Sequence, residues 1–312
     1  MKRIWKITLY ISLGLSSFLF FFYLTFPYEI LKETIVLNAS EASGLNISIH
    51  KIRPGFLMGI KGSSVQIGTS SGNKIRLRQA DVNLSFLSFF VGEARFHIEL
   101  EDEQQGTFDL NIGFSLTDLI KGQSPLWPSS VVLDAREFLF GDIVDFLLKQ
   151  QSESPEANPL LQPLLESIDL DGRMNANINL SINSADLNNS SGSAEVRLTN
   201  LIIRSRNSNL PIPDQMFSKA IIMAKLNKGV LSVDQSSGFV SQDLSVGIGG
   251  KIIQKPQLAK SDLDFQVPVK LGPPLQEQFG IILDTMAQRQ TKGAVEISIS
   301  GALVPGPHIS FL

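Results

Sequence analysis

The sequence predicts a mainly β fold: an N-terminal transmembrane helix followed by an elongated, curved antiparallel β-sheet or sandwich with a few short helices. Three observations predict it. Apolar residues alternate with polar ones over many short stretches, the period of strands with one dry and one wet face. The links between these stretches are often short and rich in Gly, Asn, Ser or Asp. Such links suit hairpins between antiparallel neighbours, because parallel pairs need long crossovers. Finally, one long apolar run stands near the start of the chain.

That run, Ile7 to Phe26, holds 20 consecutive residues without a charge, mostly Leu, Phe and Ile. At about 1.5 Å per residue it reaches about 30 Å, the thickness of a bilayer's hydrocarbon core. Lys2, Arg3 and Lys6 precede it without an acidic residue, which places the N-terminus in the cytoplasm and the remainder across the membrane. Trp5 at one end, with Tyr23 and Tyr28 at the other, suits the two interfaces. A cleaved signal peptide has a shorter apolar core followed by small residues. Here Leu24-Thr25-Phe26-Pro27-Tyr28-Glu29 follows, so the segment is expected to stay attached. The expected organisation is a cytoplasmic tail and anchor over 1–26, a periplasmic β-rich first half over 27–155 and a β-rich second half over 156–312. The break falls in the polar stretch QQSESPEA, residues 150–157.

Beyond the anchor, YEILKETIVLNASEAS (28–43) reads as a short helix that Gly44 can stop. In GEARFHIEL (92–100), Ala94, Phe96, Ile98 and Leu100 oppose Glu93, Arg95, His97 and Glu99. TFDLNIGF (107–114) and RMNANINLSI (173–182) repeat the pattern. So do SAEVRL (193–198), GVLSV (229–233), DLSVGI (243–248), SDLDFQVPV (261–269) and GAVEISIS (293–300). Fainter candidates are SVQI (64–67), NKIRLR (73–78) and DVNLSF (81–86). Helices are expected over 136–150, where Phe138, Leu139, Ile143, Phe146 and Leu147 have helical spacing, over 158–168, and over 273–290 after two prolines.

Composition excludes much chemistry. The formal charge is −3, and setting aside Lys2, Arg3 and Lys6 leaves 24 basic against 30 acidic residues. That is no nucleic-acid footprint. Without cysteine there are no disulfides, thiolate metal sites or thiol nucleophiles. The histidines, His50, His97 and His308, are scattered. Gly247, Gly249 and Gly250 imitate a phosphate loop, but no helix pattern follows, so close strand packing or a bulge is expected. Glu166, Asp169 and Asp171 lack the spacing of a calcium loop, and Asp171-Gly172 reads as a turn. Asp102 between Glu101 and Glu103 reads as a solvated hairpin end. Asn46-Ile47-Ser48 is a glycosylation sequon that matters only in a eukaryotic secretory route. No catalytic, cofactor or metal residue is assigned, and no enzyme is expected. The dry face has two readings. If the sheet closes, Phe96, Ile98 and Ile178 are core; if it stays open as a trough, the same residues contact lipid tails.

A short basic tail, an apolar helix and FPYEILK (26–32) resemble the N-terminus of the type II secretion system protein N (GspN) family. HKIRPGFLMGIKGSSVQI (50–67) resembles that family's early strand, and GAVEISISGALVPGPHISFL (293–312), with Gly301 and Pro305 or Pro307, resembles its ending. The likeness covers the two ends and the strand rhythm, and the polar stretch 150–157 departs from it. It implies a non-catalytic accessory component of a type II secretion apparatus, anchored in the inner membrane, with other secretion subunits as partners. The family is also similar to the wider AsmA-like group, which implies the alternative: periplasmic lipid handling or outer-membrane maintenance, with lipid on the apolar face of the sheet.

Overall fold

The computed structural model describes residues 13, 14, 17, 21, 28–43, 45–55, 59–68, 74–120, 128–144, 168–183, 186–205, 213–255, 260–288, 291–302 and 308–311. The protein is mainly β, built on a large antiparallel sheet with few short helices. Helix α1 (Tyr28–Ser43) leads into β1 (Asn46–Pro54), and the Ser40 hydroxyl accepts the Ile47 N–H at 3.2 Å. Then β2 (Gly59–Gly68), β3 (Lys74–Ser85), β4 (Glu93–Asp102), β5 (Thr107–Ser115), β6 (Ser130–Leu139), β7 (Ile168–Ser181), β8 (Ser191–Ser205) and β9 (Gln215–Asn227) follow, each antiparallel to the one before.

The next two passes across the sheet are broken strands. β10 (Val230–Val233) and β11 (Gly238–Ser241) both pair with β9, at Ala224–Asn227 and Phe217–Ile221 respectively. β12 (Leu244–Gly247) pairs with β11, and β13 (Gly249–Ile253) pairs with β10. Both then pair with β14 (Asp262–Leu271), which α3 (Pro273–Ala287) follows; the short α2 (Leu116–Ile120) stands after β5. β15 (Ala294–Ala302) and β16 (His308–Phe311) finish the sheet. The topology is therefore a plain meander in which each pass lies beside the next in sequence. Among the described residues β1 and β16 do not pair with each other, so the sheet has two edges.

Several expectations change. The helix expected over 136–150 begins only at Gly141, because Arg136 to Leu139 belong to β6. The apolar residues there do have helical spacing, but pairing of Arg136 with β5 and of Phe138 and Leu139 with β7 outweighs it. NKIRLR and DVNLSF are one strand, β3, whose register shifts between Leu77 and Gln79. Asp171-Gly172 is a bulge inside β7 and not a turn. The helix expected over 158–168 lies outside the described residues except for Ile168, which begins β7. So does the boundary near 155; the strands on its two sides, β6 and β7, are hydrogen-bonded neighbours. Of Ile7–Phe26 only Leu13, Gly14, Ser17 and Phe21 are described, all helical. Among the described residues no helix is long and apolar enough to cross a membrane.

One buried cluster joins Val65, Ile75, Leu77, Leu133, Ala135, Phe138, Leu139 and Ala176. Phe138 is 1% exposed and its ring centroid lies 5.2 Å from that of Phe108. The cluster gathers where β6 outruns β5 and reaches the β4–β5 hairpin.

Candidate functional site

Registers decide which side chains share a face, since directly opposed residues in an antiparallel ladder point the same way. Following the pairs across the sheet gives a row with no polar member: Ile60, Val82, Ile98, Leu110, Leu133, Ile178, Ala194, Ala224, Val233, Gly250, Phe265, Ile299 and Ile309. A second row runs beside it: Leu84, Phe96, Ile112, Val131, Leu180, Gly192, Leu226, Leu231, Ile252, Leu263 and Gly301. Together they form an apolar track crossing the strands. With neighbouring strands about 4.8 Å apart, twelve steps from β2 to β16 span about 58 Å.

The opposite face is largely polar, with Val132 on β6 and Ile221 and Met223 on β9 as apolar members. Its matching row reads Asn83, His97, Asn111, Val132, Asn179, Ser193, Lys225, Ser232, Lys251, Asp264, Ser300 and His308. The apolar track is not fully covered. Ile98, Leu110, Ile178, Leu180, Ile252, Leu263 and Phe265 are half-buried, and Val82 and Phe96 are 43% and 36% exposed.

The polar residues singled out in the sequence are spread over the sheet. Asp102 is not a solvated hairpin end: it is 1% exposed. Its Oδ1 accepts the N–H groups of Gln104 at 2.7 Å and Gly106 at 2.8 Å, and its Oδ2 accepts Leu139 N–H at 3.0 Å and Arg173 Nη1. Arg173 also donates to Gln104 Oε1, so this node joins β4, the hairpin, β6 and β7. Asp171 is 66% exposed and 3.8 Å from Arg204, Asp169 lies two residues earlier on β7, and Glu166 lies outside the described residues.

His97, on the polar face, sets Nδ1 3.1 Å from Asn111 Oδ1 and 3.4 Å from Asp109 Oδ1. His50, His308 and Asn46 are exposed on edge strands β1, β16 and β1. Gly247, Gly249 and Gly250 sit where β12 breaks into β13. A Cβ on Gly250 would lie 2.3 Å from Asp264 O, so close strand approach explains that glycine. The same break opens a cavity of about 610 Å³ on the polar face, lined by Ser232, Lys251, Asp264 and Gln266 among others. Among the described residues no group of three His, Cys, Asp or Glu is placed to hold a metal ion.

Two features carried no signal that the sequence reading used. Asp81, 0% exposed, accepts Lys61 Nζ at 2.5 Å and Gln79 Nε2 at 2.9 Å; this hydrogen bond and the carboxylate charge raise the Lys61 ammonium above its ordinary value. The track's members on β6 and β9 were hidden too, because apolar Val132, Ile221 and Met223 stand between them and break the alternation.

Comparison with protein-family models finds no match, and no curated protein and no solved structure matches the chain.

Proposed function

We propose that this chain is a single-pass inner-membrane protein, N-terminus cytoplasmic, whose periplasmic sheet carries lipid along its apolar face. The observation that supports this most is the unbroken track. A sheet that buries its dry face under a second layer makes a core; here Leu133, Ala224 and Leu226 are buried, but Ile98, Leu110, Ile178, Leu180, Ile252, Leu263 and Phe265 are left half-covered. Large apolar surfaces left open in this way mark binding of apolar ligands or membranes. The length supports several lipids in file: about 58 Å is nearly four times the about 15 Å half-thickness of a hydrocarbon core. Register shifts between Leu77 and Gln79, Ala135 and Phe138, Asp171 and Arg173, and Val240 and Ser241 supply the bulges that increase local twist and let a long sheet bend. The anchor is supported by the uncharged Ile7–Phe26, with Leu13 and Phe21 each 63% exposed.

A setting beside a type II secretion apparatus rests on the sequence resemblance alone, whereas the geometry favours lipid handling. Native mass spectrometry of the full chain in mild detergent tests the reading. Phospholipid should co-purify with the wild type. Ile98→Asp, which sets a charge on the track, should lose it while backbone hydrogen exchange in β4 and β5 stays protected. Wild-type protein devoid of phospholipid would sink the reading. So would an Ile98→Asp variant that unfolds outright, the outcome for a closed core.

A further inference from the structure

Between β3 and β4, and again after β5, the chain makes two short projections at the same margin of the sheet. The first is a 3-10 helix, Phe86–Val91; the second is α2, Leu116–Ile120. They are tied together by Leu116 N–H donating to Gly92 O at 2.9 Å. The first is pinned to the sheet by buried Ser88, whose hydroxyl donates to Ser85 O at 2.6 Å and accepts Arg95 N–H at 3.2 Å. With Ser88 turned inward, the outward positions are Leu87, Phe90 and Val91, 75%, 78% and 75% exposed; Leu119 and Ile120 on α2 are 38% and 84% exposed. The stretch NLSFLSFFVG, residues 83–92, contains no charge.

We infer that this tip inserts into the bilayer to which the chain is anchored, at the margin where the track begins. Five large apolar side chains held outward on a fixed scaffold cost solvation that only an apolar partner returns. The first projection carries no charge, and α2 carries one, Asp118, beside Thr117; insertion to headgroup depth leaves such groups among the headgroups and asks only for apolar side chains beyond them. The tip continues into the track. Its strands carry Leu84, Phe96 and Ile112, the near row, and Phe114 meets Phe96 edge-on with centroids 6.1 Å apart. The tip sits two to four strands from β1, about 10–19 Å across, and about 30 Å along the strand direction from Asn46. Helix α1, which joins β1 there, is about 24 Å long.

This inference rests on the anchored reading for the presence of a bilayer, but not on lipid occupying the track. The chain has no cysteine, so single-cysteine variants of the full chain take one spin label each. Labels replace Phe90, Ile120 and, as a control for exposure alone, Met216, 69% exposed on β9. In vesicles of phosphatidylethanolamine and phosphatidylglycerol, the ratio of oxygen to nickel-complex collisions should be several-fold higher at 90 and 120 than at 216. Equal ratios overturn the inference, as does close dipolar coupling between labels at position 90 of two copies, which would make the tip a self-association surface. Phospholipid co-purification is scored separately. Bound phospholipid with an aqueous tip fails the tip alone, and an inserted tip without bound phospholipid fails the track alone.

Discussion

Replacing Asp102 by alanine removes one carboxylate that four donors share. The Gly106 and Leu139 amides, at 2.8 and 3.0 Å, lose a buried acceptor, and Arg173, 19% exposed, loses its counter-charge. Each amide left without a partner costs about 1–3 kcal/mol, and removing one member of a buried ion pair about 3–5 kcal/mol. These costs overlap, and Arg173 reaches some water, so the lower end applies: about 3 kcal/mol. A long meander need not unfold as one unit, so the assay is local: hydrogen exchange by mass spectrometry on the full chain, reading residues 102–107 and 137–141. A loss of about 3 kcal/mol accelerates exchange there about a hundredfold. Asp102→Asn keeps one acceptor but turns an NH2 toward donors, and should fall between. If Asp102→Ala leaves both segments protected to within about twofold, the node does not hold β6 to the hairpin.

Two further outcomes are expected. Phe138→Ala, at a position 1% exposed in the core cluster, should destabilise the β3–β7 region by about 3–5 kcal/mol in denaturant unfolding; a loss below about 1 kcal/mol contradicts the packing described. Asp284 accepts Thr291 N–H at 2.6 Å and the Thr291 hydroxyl at 2.7 Å, and these bonds hold its carboxyl below its ordinary 3.8. A carboxyl depressed in the folded state adds stability above its unfolded pKa and loses it as pH falls through the folded one. The melting advantage of the wild type over Asp284→Asn should therefore be full near neutral pH and shrink only below the ordinary carboxylate range; an advantage independent of pH would contradict this.

Much of the track was legible. Phe96, Ile98 and Ile178 read as dry-face residues because side-chain direction alternates strictly once a strand is given. The helices at 28–43 and 273–287 were legible for a similar reason: Gly44 follows the first, and prolines open the second. β6 was not. Phe138, Leu139 and Ile143 fit a helix period, yet pairing with Met174 and Arg173 of β7 holds the first two in the strand, and only Ile143 lies in a helical turn. Asp102 looked like a wet turn because its neighbours Glu101 and Glu103 are charged, while the groups that bury it, Leu139 and Arg173, are 37 and 71 residues away.

By itself, the sequence determined that the chain is mostly strand, that each strand has one oily side, and that an uncharged segment precedes them. Local period and charge suffice for that, because they act within a few residues. Only the tertiary structure decided that those oily sides join into one track and that Leu87, Phe90 and Ile120 stand together at its margin. Both depend on register and on bulges, where a slip of one residue turns every later side chain to the other face.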